Sequence, residues 1–409
     1  MDIPGLPARK AALKLLDAVL RRGETLDQAA QPALQGIRSD ADRALARALA
    51  GEVLRWLVDL DALIDSATRQ ALPEDAKPRT VLRLMLAGWL RLETPPHAVI
   101  ATGLPLLAGG PRRLAHGVFS TLVKGAARLP AAPSLPDRVS ERWGTDAAAI
   151  AVGLAVPPPL DLTLRDAAAT DAWCERLGGT SLIPGHVRLP RGIAVERLDG
   201  FKDGAWWVQD LAASLPARLL GAGAGGRVLD LCAAPGGKTM QLAAAGWQVT
   251  ALDAGAKRLQ RMKENLARTG LGATLVQADA LQWQPDAQFD AVLLDAPCTA
   301  TGTCRRHPDV LHRIGHRQIA ELAELQARLL ERARAWVKPG GRLVYATCSL
   351  ERAEGEDQAA LVGLSTDPIR AEELPAGLVP TDQGWLRTDP AMLPDAGGLD
   401  GFFIARWRA

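Results

Sequence analysis

The sequence predicts a multidomain chain of 409 residues, in which an all-α domain is followed by a small α+β module and a large α/β domain. Three observations support this order. Apolar residues recur at helical spacing from residue 5 to about 128, short strand-like segments follow from Pro157, and strands alternate with helices from Gly225 onward. A chain of this length is long enough to bury two or three separate cores.

The first domain is predicted over 1–130 and consists of helices. The segments LARALAGEVLRWLVDLDALI and TVLRLMLAGWLRLE place apolar residues three and four apart, and SDADR before the first supplies N-cap residues. The proline-rich segment LPAAPSLPD, 129–137, is typical of a linker. We therefore predict a linker with helix over 131–155.

A small α+β (RRM-like) module is predicted over 156–205. The segments PPPLDLTLRD and HVRLP have the composition of short strands, and AAATDAWCERLGG between them has that of a helix. The following segment, WWVQDLAASLPARLLG, is interpreted as the entry into a helix of the next domain.

The last domain, 206–409, is predicted to be a Rossmann-like, doubly wound α/β domain. Strands are expected at RVLDLCA, WQVTALD, ATLVQAD, FDAVLLDAP, GRLVYATCS and GFFIARWR. Helices are expected at GKTMQLAAAG, AKRLQRMKENLARTG and RQIAELAELQARLLERARAWV. In such a fold, ligands bind at the carboxyl ends of the strands.

The composition bounds the class of protein. Apolar content of 48% and charged content of 23% are ordinary for a globular protein, and no apolar run reaches the length of a membrane span. The first apolar stretch, AALKLLDAVL, is interrupted by Lys14 and Asp17, which indicates an amphipathic helix rather than a secretion signal. Five cysteines without framework spacing favour a reducing cytoplasm. A net charge of +2 says little about nucleic acid binding.

The turn DLCAAPGGKTM, 230–240, follows the first strand of the α/β domain and has two interpretations. Its GGKT core resembles the phosphate loop of nucleotide hydrolases. However, Cys232 stands where that loop needs glycine, and Pro235 removes one backbone amide donor. A dinucleotide-like or S-adenosylmethionine site fits better, because Gly236 and Gly237 allow a ligand to approach the backbone at a helix N-terminus.

Acidic residues end the next strands as well. Asp253 ends the second strand, at the position suited to ribose hydroxyls, and Asp279 follows the third, placed to accept from an adenine amino group. Asp295 ends the fourth strand. One acid at a strand end is common, because Asp favours turns. Acids at the ends of three successive strands after a glycine-rich turn indicate a ligand site.

Two cysteines follow neighbouring strand ends. Cys298 lies in DAPC after the fourth strand and Cys348 lies in TCS at the end of the fifth, so both are expected to face one pocket. A single cysteine is usually a small buried hydrophobe, and this alternative holds for either residue alone. A zinc site is disfavoured, because the Cys298-x5-Cys304 spacing matches no common ligand pattern.

Three motifs together resemble those of a known family. DLCAAPGGKT, LDAPCTATGTCRRHPD and VYATCS occur in the order and nearly the wording of the signature motifs of the RNA cytosine-C5 methyltransferases, the Nol1/Nop2/Sun family. The resemblance covers roughly residues 145–409, and DRALARALAGEVLRW in the first domain resembles the RNA-binding NusB family. It implies a class I S-adenosylmethionine-dependent methyltransferase domain after a NusB-like domain, acting on C5 of a cytosine in 16S rRNA.

The resemblance also implies roles for individual residues. Cys348 of TCS is the nucleophile that adds to C6 of cytosine, and Cys298 of DAPC assists product release. Asp295 bonds the N3/N4 edge of the base, and Lys238 adds positive charge near the Cys348 thiol. Asp230 anchors the cofactor turn. The implied S-adenosylmethionine contacts are Cys232, Ala233, Ala234, Pro235, Gly236, Gly237, Lys238, Asp253, Asp279 and Asp295.

RNA contacts and partners follow from the same resemblance. Arg305, Arg306 and His307 follow DAPC and are expected to position RNA through its phosphates, although a solvated basic run is the alternative. The expected partner is 16S rRNA, free or in an early small-subunit particle. We expect a monomer, without membrane, DNA or metal partners.

Other functions remain as alternatives. One alternative substrate is tRNA or another rRNA site. An alternative of a different class is a non-catalytic RNA-binding assembly factor, against which the intact Asp295, Cys298 and Cys348 argue. A DNA cytosine-C5 methyltransferase would use Cys298 as its nucleophile, but the sequence contains no ENV motif. A methyltransferase acting on exocyclic nitrogens would have Asn-Pro-Pro-aromatic in place of DAPC.

Overall fold

The computed structural model describes residues 3–409, so residues 1 and 2 of the predicted first domain lie outside the described residues. The chain forms two compact units. Residues 3–155 together with Arg306–Ile314 form the first, and Val156–Arg305 together with Gly315–Ala409 form the second. The fold prediction is confirmed: a helical domain, a small sheet module and a Rossmann-like domain follow one another along the chain.

The first unit is a helical bundle. Its helices in 3–155 are α1 (Leu6–Arg22), α2 (Leu26–Leu34), α3 (Asp40–Arg55), α4 (Leu57–Ser66), α5 (Lys77–Leu90), α6 (Pro96–Gly103), α7 (Gly109–Lys124), α8 (Asp137–Trp143) and α9 (Ala147–Leu154). Thr25 and Ser39 cap α2 and α3 through their hydroxyls, as the sequence predicts for the second. Leu15, Leu49 and Leu60 lie in the apolar core with no solvent exposure above 1%.

The second unit contains two sheets. The small one has β1 (Leu160–Leu164) between β2 (His186–Leu189) and β3 (Trp206–Val208), all antiparallel. The predicted module, 156–205, therefore omits its own third strand. Trp206, the first residue of the predicted last domain, begins this strand, and its indole is fully buried and donates to the Asp199 carbonyl.

The large sheet has the order β10-β11-β8-β7-β4-β5-β6, with β9 paired to β11. Its strands are β4 (Arg227–Leu231), β5 (Gln248–Asp253), β6 (Thr274–Gln277), β7 (Phe289–Asp295), β8 (Val337–Thr347), β9 (Ser365–Thr366), β10 (Leu386–Thr388) and β11 (Phe402–Arg408). Strands β4 to β8 pair in parallel, whereas β11 pairs antiparallel with β8, with β9 and with β10. The chain adds strands to one side of β4 and then to the other, so the strand order reverses between β4 and β7.

Helices flank the sheets and connect the strands. In chain order they are α10 (Thr170–Leu177), α11 (Leu211–Arg218), α12 (Gly237–Ala244), α13 (Ala256–Thr269), α14 (Val310–Arg313), α15 (His316–Ala335) and α16 (Glu356–Ala359). Among the described residues, none of the helices is long and apolar enough to cross a membrane.

The segment Arg306–Ile314, which includes α14, belongs to the helical unit although it lies within the α/β part of the sequence. His312 donates from Nε2 to the Leu54 carbonyl at 2.6 Å, because a carbonyl oxygen only accepts. Burial lowers the pKa of His312 to about 4, so the ring is neutral at physiological pH. The sequence alone did not predict this assignment.

Candidate active site

The glycine-rich turn connects β4 to α12, as predicted. Cys232 has a φ of 58° and Gly236 a φ of 102°, both in the region that disfavours ordinary side chains. A Cβ on Gly236 would lie 2.9 Å from Cγ of Met262 in α13, so glycine is required there for space as well as for conformation. Ala233 and Ala234 are buried, Pro235 is exposed, and α12 begins at Gly237.

Asp230 anchors the turn through one oxygen. Its Oδ2 accepts a hydrogen bond of 2.5 Å from the Thr239 hydroxyl at the start of α12. No donor within the described residues reaches its Oδ1, although the side chain is completely buried. Burial, together with the charges of Asp295 and Asp253, raises the pKa of Asp230 to about 7.

Asp253 is the last residue of β5 and is almost completely buried. Its Oδ1 accepts from the Gly255 amide at 2.7 Å, and its Oδ2 accepts from the Ala234 amide at 3.2 Å. The Arg258 guanidinium lies 2.7 Å from Oδ1, with a side chain that is 61% exposed. Asp253 thus links β5 to the glycine-rich turn. Its third partner, Arg258, is a largely exposed side chain, so this ion pair contributes little.

The other two cofactor candidates differ in exposure. Asp279 lies two residues beyond the end of β6, is exposed, and accepts from the Leu281 amide at 2.9 Å. Cys232 remains a thiol, because burial and the charges of Asp253 and Asp295 raise its pKa to about 12.

Lys238 and Asp295 form an ion pair between the first turn of α12 and the end of β7. Lys238 Nζ lies 2.7 Å from Asp295 Oδ2 and 5.4 Å from the centre of the Phe402 ring. The lysine is only 8% exposed. The sequence indicated both residues for this pocket but did not reveal that they are each other's partners, because they are 57 positions apart.

The two cysteines predicted to face one pocket lie next to each other. Cys298 Sγ and Cys348 Sγ are 3.4 Å apart and half-buried. They are brought together because β7 and β8 are neighbouring parallel strands, in which Asp295 pairs with Ala346. Hydrogen bonding to Cys348, burial and the charge of Glu354 raise the pKa of Cys298 well above its ordinary value.

Glu354 is a site residue that the sequence analysis missed. Its carboxylate is completely buried behind the thiols and bonds Thr299, which follows Cys298, and Ser349, which follows Cys348. In the sequence it stands in the charged stretch ERAEGED, which has the composition of a solvated surface segment.

The three residues predicted to contact RNA differ in their exposure to solvent. Arg305 is 2% exposed, and its guanidinium donates to the Gly397 carbonyl at 2.5 Å. Because the charge lies inside the protein, burial lowers the pKa of Arg305, and its position argues against the predicted phosphate contact. Arg306 is exposed, and His307 lies 3.8 Å from Asp27 Oδ2 within the helical unit. A phosphate contact for these two stays a prediction.

Taken together, the strand-end geometry defines the class of protein. A Rossmann-like sheet, a glycine-rich turn at a helix N-terminus and a buried acid at the end of the next strand are the features of an S-adenosylmethionine-dependent methyltransferase. The chain belongs to the RsmB/F family of 16S rRNA methyltransferases: the model of that family matches residues 217–408, and the NusB family model matches residues 6–106.

Known proteins agree with this assignment. Ribosomal RNA small subunit methyltransferase B of Klebsiella pneumoniae is 35% identical, and the similarity covers 97% of each chain. Among solved structures, PH0851 matches all of both chains with a TM-score of 0.74 at 21% identity, which shows the fold. A methyltransferase homolog protein from Pyrococcus horikoshii matches 66% of this chain and 93% of its own with a TM-score of 0.56 at 28% identity.

Proposed function

We propose that this protein methylates C5 of a cytosine in 16S rRNA through a covalent bond between Cys348 Sγ and C6 of the base. The observation that supports this best is the pair of thiols 3.4 Å apart beside the Lys238–Asp295 ion pair. Cytosine C5 is a weak nucleophile, and addition of a thiolate to C6 makes it electron-rich. S-adenosylmethionine, when bound, supplies an electrophilic methyl group.

The chain offers a consistent set of cofactor contacts. The turn 232–238 presents backbone amides at the start of α12, which suits the carboxylate of the methionine part. Asp253 and Asp279 offer carboxylate oxygens toward the ribose and the adenine, respectively. The Asp230 oxygen that lacks a donor among the described residues also favours a polar ligand next to this turn.

The two cysteines have distinct proposed roles. Cys348 adds to C6, C5 takes the methyl group, the C5 proton is lost, and the Sγ–C6 bond then breaks to return the Cys348 thiolate. The Cys298 Sγ lies 3.4 Å from the Cys348 Sγ, so its S–H can donate to the departing sulfur. Cys348 is the nucleophile in this proposal because it stands in the TCS motif, and the alternative in which Cys298 attacks is tested by the two single variants below.

Asp295 and Lys238 act on the base in this proposal. The Asp295 side chain is one-third exposed, so one of its oxygens can accept from the N4 amino group or bond N3 while Lys238 holds the other. Lys238 supplies a positive charge that offsets the negative charge gained during thiolate addition.

The nucleophile assignment is tested with labelled S-adenosylmethionine and unmodified 16S rRNA. We expect Cys348→Ala to lower methyl transfer by at least about 10³-fold, because covalent activation is lost. Cys174→Ala, a free thiol of the small module, serves as the matched control and should leave transfer unchanged. Undiminished labelling by the Cys348→Ala protein would contradict the proposal.

The release role of Cys298 has its own signature. With Cys298→Ala, the Cys348–RNA bond should form and break slowly, so a covalent protein–RNA adduct should accumulate on a denaturing gel. The double variant Cys298→Ala/Cys348→Ala should give none. If the single variant gives no adduct either, the release role is wrong.

The substrate and the compartment complete the proposal. Mapping 5-methylcytosine across rRNA and tRNA from cells with and without the gene would distinguish 16S rRNA from a tRNA or another rRNA site. We propose that the protein acts as a monomer in the cytoplasm, where its five cysteines, none of which forms a disulfide in the described part of the chain, stay reduced.

A further inference from the structure

The two turns that contain the thiols are joined to each other behind the sulfur atoms. The Gly302 amide donates to the Cys348 carbonyl at 3.0 Å, and the Leu350 amide donates to the Thr301 hydroxyl at 3.0 Å. The Ser349 hydroxyl lies 3.2 Å from that of Thr301. These bonds connect segments about fifty positions apart in the sequence, directly beside both thiols.

Glu354 is the centre of this connection. Its Oε1 accepts from the Thr299 amide at 2.9 Å and from Gln326 Nε2 at 3.0 Å. Its Oε2 accepts from the Ser349 hydroxyl at 2.5 Å and also from the Thr299 hydroxyl. Four donors therefore occupy the four lone-pair positions of one buried carboxylate. Three of these donors belong to Thr299 and Ser349, the residues that follow Cys298 and Cys348.

Hydroxyl groups of β8 hold the main chain of Glu354 in place. The Tyr345 hydroxyl and the Thr347 hydroxyl both donate to the Glu354 carbonyl, at 2.7 and 3.1 Å. Arg387 donates to the Ser349 carbonyl and forms an ion pair with Glu356 at 2.6 Å. Glu354 is thus fixed through its main-chain carbonyl to β8, which ends one residue before Cys348, while its side chain reaches across to the Cys298 turn.

We propose that Glu354 is the positioning residue that holds the Cys298 and Cys348 thiols at their 3.4 Å spacing for the reaction. It touches neither sulfur in the structure, so its effect passes through Thr299 and Ser349. The expected effect of Glu354 on the reaction rate rests on the proposed methyl transfer. The expected effect of Glu354 on the distance between the thiols does not, because that distance can be tested without RNA or S-adenosylmethionine.

Glutamine is an informative replacement at this position. Its amide has nearly the same shape, and its one oxygen can still accept from the Thr299 amide and from Gln326, but its NH2 group replaces the oxygen that accepts from the Thr299 and Ser349 hydroxyls. The two charge-assisted hydrogen bonds from those hydroxyls are lost, so the turns are expected to be held less firmly. Burial raises the pKa of Glu354, while the hydrogen bonds it accepts act in the opposite direction.

The first measurement is the equilibrium between the reduced thiols and an internal Cys298–Cys348 disulfide in reduced and oxidised glutathione buffers. Two electrons and two protons pass from the two cysteines to one oxidised glutathione, which becomes two reduced ones. A disulfide has an S–S length of about 2.05 Å, so thiols held near each other close it readily. We expect Glu354→Gln to lower the equilibrium constant at least about tenfold, since this constant measures how well the protein holds the thiols together.

The second measurement is the steady-state rate of methyl transfer. Misplacement of a reacting group by about 1 Å costs about 10²-fold in rate, so kcat should fall to that extent in Glu354→Gln. KM for S-adenosylmethionine should stay within about twofold, because the cofactor turn is not among the partners of Glu354. Glu354→Asp keeps the charge on a shorter stem and should recover part of both losses. Glu321→Gln on α15 removes an exposed carboxylate and is the matched control.

Each result decides the proposal. A folded Glu354→Gln protein with a wild-type disulfide equilibrium, or with a wild-type kcat, would overturn it, and so would a wild-type protein unable to form the internal disulfide. If Glu354→Gln does not fold, Ser349→Ala and Thr299→Val decide instead: each removes one donor and should lower the equilibrium constant, and no change in either variant would overturn the proposal. Absence of methyl transfer in the wild type, with the thiol result intact, would refute the proposed function alone.

Discussion

The buried carboxylates of the cofactor half of the site, Asp230 and Asp253, differ from the buried carboxylate of its thiol half, Glu354. In the cofactor half, Asp230 has one oxygen without a donor among the described residues, and Asp253 is covered by a mostly exposed arginine, Arg258. In the thiol half, Glu354 accepts from four donors within the protein. All three side chains are buried, so burial alone does not distinguish them.

The difference teaches what each half is built for. A buried polar atom left unsatisfied is costly, and it persists where a ligand completes it. A carboxylate whose lone pairs all accept from fixed donors has none left for a ligand. Its hydrogen bonds instead stabilise the positions of the surrounding turns. The cofactor half is therefore arranged to bind, and the thiol half is arranged to stay rigid. The Lys238–Asp295 pair lies between them.

The largest effect is expected from breaking that central pair. Asp295→Ala leaves the Lys238 ammonium buried without its partner, which costs about 3–5 kcal/mol, and it removes the carboxylate that we propose contacts the base. Methyl transfer should fall by about 10³-fold. Lys338→Met is the control, because Lys338 and Asp290 form a pair of equal length, 2.7 Å, that is 41–42% exposed. Its loss should cost less than about 1 kcal/mol. Equal losses from both variants would contradict the comparison.

The next largest effect is expected in the pH dependence of the unfolding free energy, which tests whether Asp230 lacks a donor to its second oxygen. Its pKa is raised from 3.8 to about 7, so folding favours the protonated form: the stabilisation is complete below pH 3.8 and is lost as pH rises through 7. At 1.36 kcal/mol per unit this amounts to about 4 kcal/mol. Asp230→Asn should remove that decline when unfolding is measured from pH 4 to pH 8. Asp290→Asn, whose exposed carboxyl has a lowered pKa, should keep it. If the stability of Asp230→Asn falls with pH as steeply as that of the wild type, the pKa of Asp230 is not raised and the contrast with Glu354 fails.

A smaller effect is expected at the glycine-rich turn. Gly236→Ala places a Cβ 2.9 Å from Met262 at a φ of 102°. Such strain costs about 1–3 kcal/mol, and S-adenosylmethionine binding measured by calorimetry should weaken accordingly. Gly272→Ala is the control, since a Cβ there meets nothing within 4 Å. Unchanged cofactor affinity in Gly236→Ala would mean that the turn does not contact the cofactor.

The smallest effect is expected from the surface residue over Asp253. Arg258→Ala removes an ion pair whose arginine is 61% exposed, so stability should change by less than about 1 kcal/mol. If Asp253 serves the ribose, the affinity for S-adenosylmethionine should be unchanged or should increase slightly, because a competitor is gone. Arg261→Ala, one turn further along the same helix, is the control. A tenfold loss of affinity would make Arg258 part of the cofactor site.

Much of the fold was predictable because its signals are local. The alternation of strands and helices after Gly225, the helical periodicity of the first domain and the acids at strand ends all appear within short windows of sequence. The errors arose where the signal is not local. Trp206–Val208 is a three-residue strand, too short for periodicity, and Arg306–Ile314 joins the helical unit through contacts remote in sequence.

The candidate site divides in the same way. Sequence motifs identified Cys298, Cys348 and Asp295, because parallel strands bring their carboxyl ends to one edge of a sheet. They did not identify Glu354, which has no motif of its own within a charged segment. They also placed Arg305 in an RNA-contacting role, although its guanidinium is buried against the Gly397 carbonyl. Burial depends on what packs over a residue, and that information lies elsewhere in the chain.

By itself, the sequence determined the order of the elements, the family and the chemical groups at the ends of the strands, since periodicity, turn residues and motifs are written in consecutive positions. The tertiary structure alone decided the 3.4 Å between the thiols, the pairing of Lys238 with Asp295 and the four donors on Glu354. Those features join positions 50, 57 and 55 residues apart. A hydrogen bond or ion pair forms only when both partners are placed within a few tenths of an ångström, and it is packing that places them.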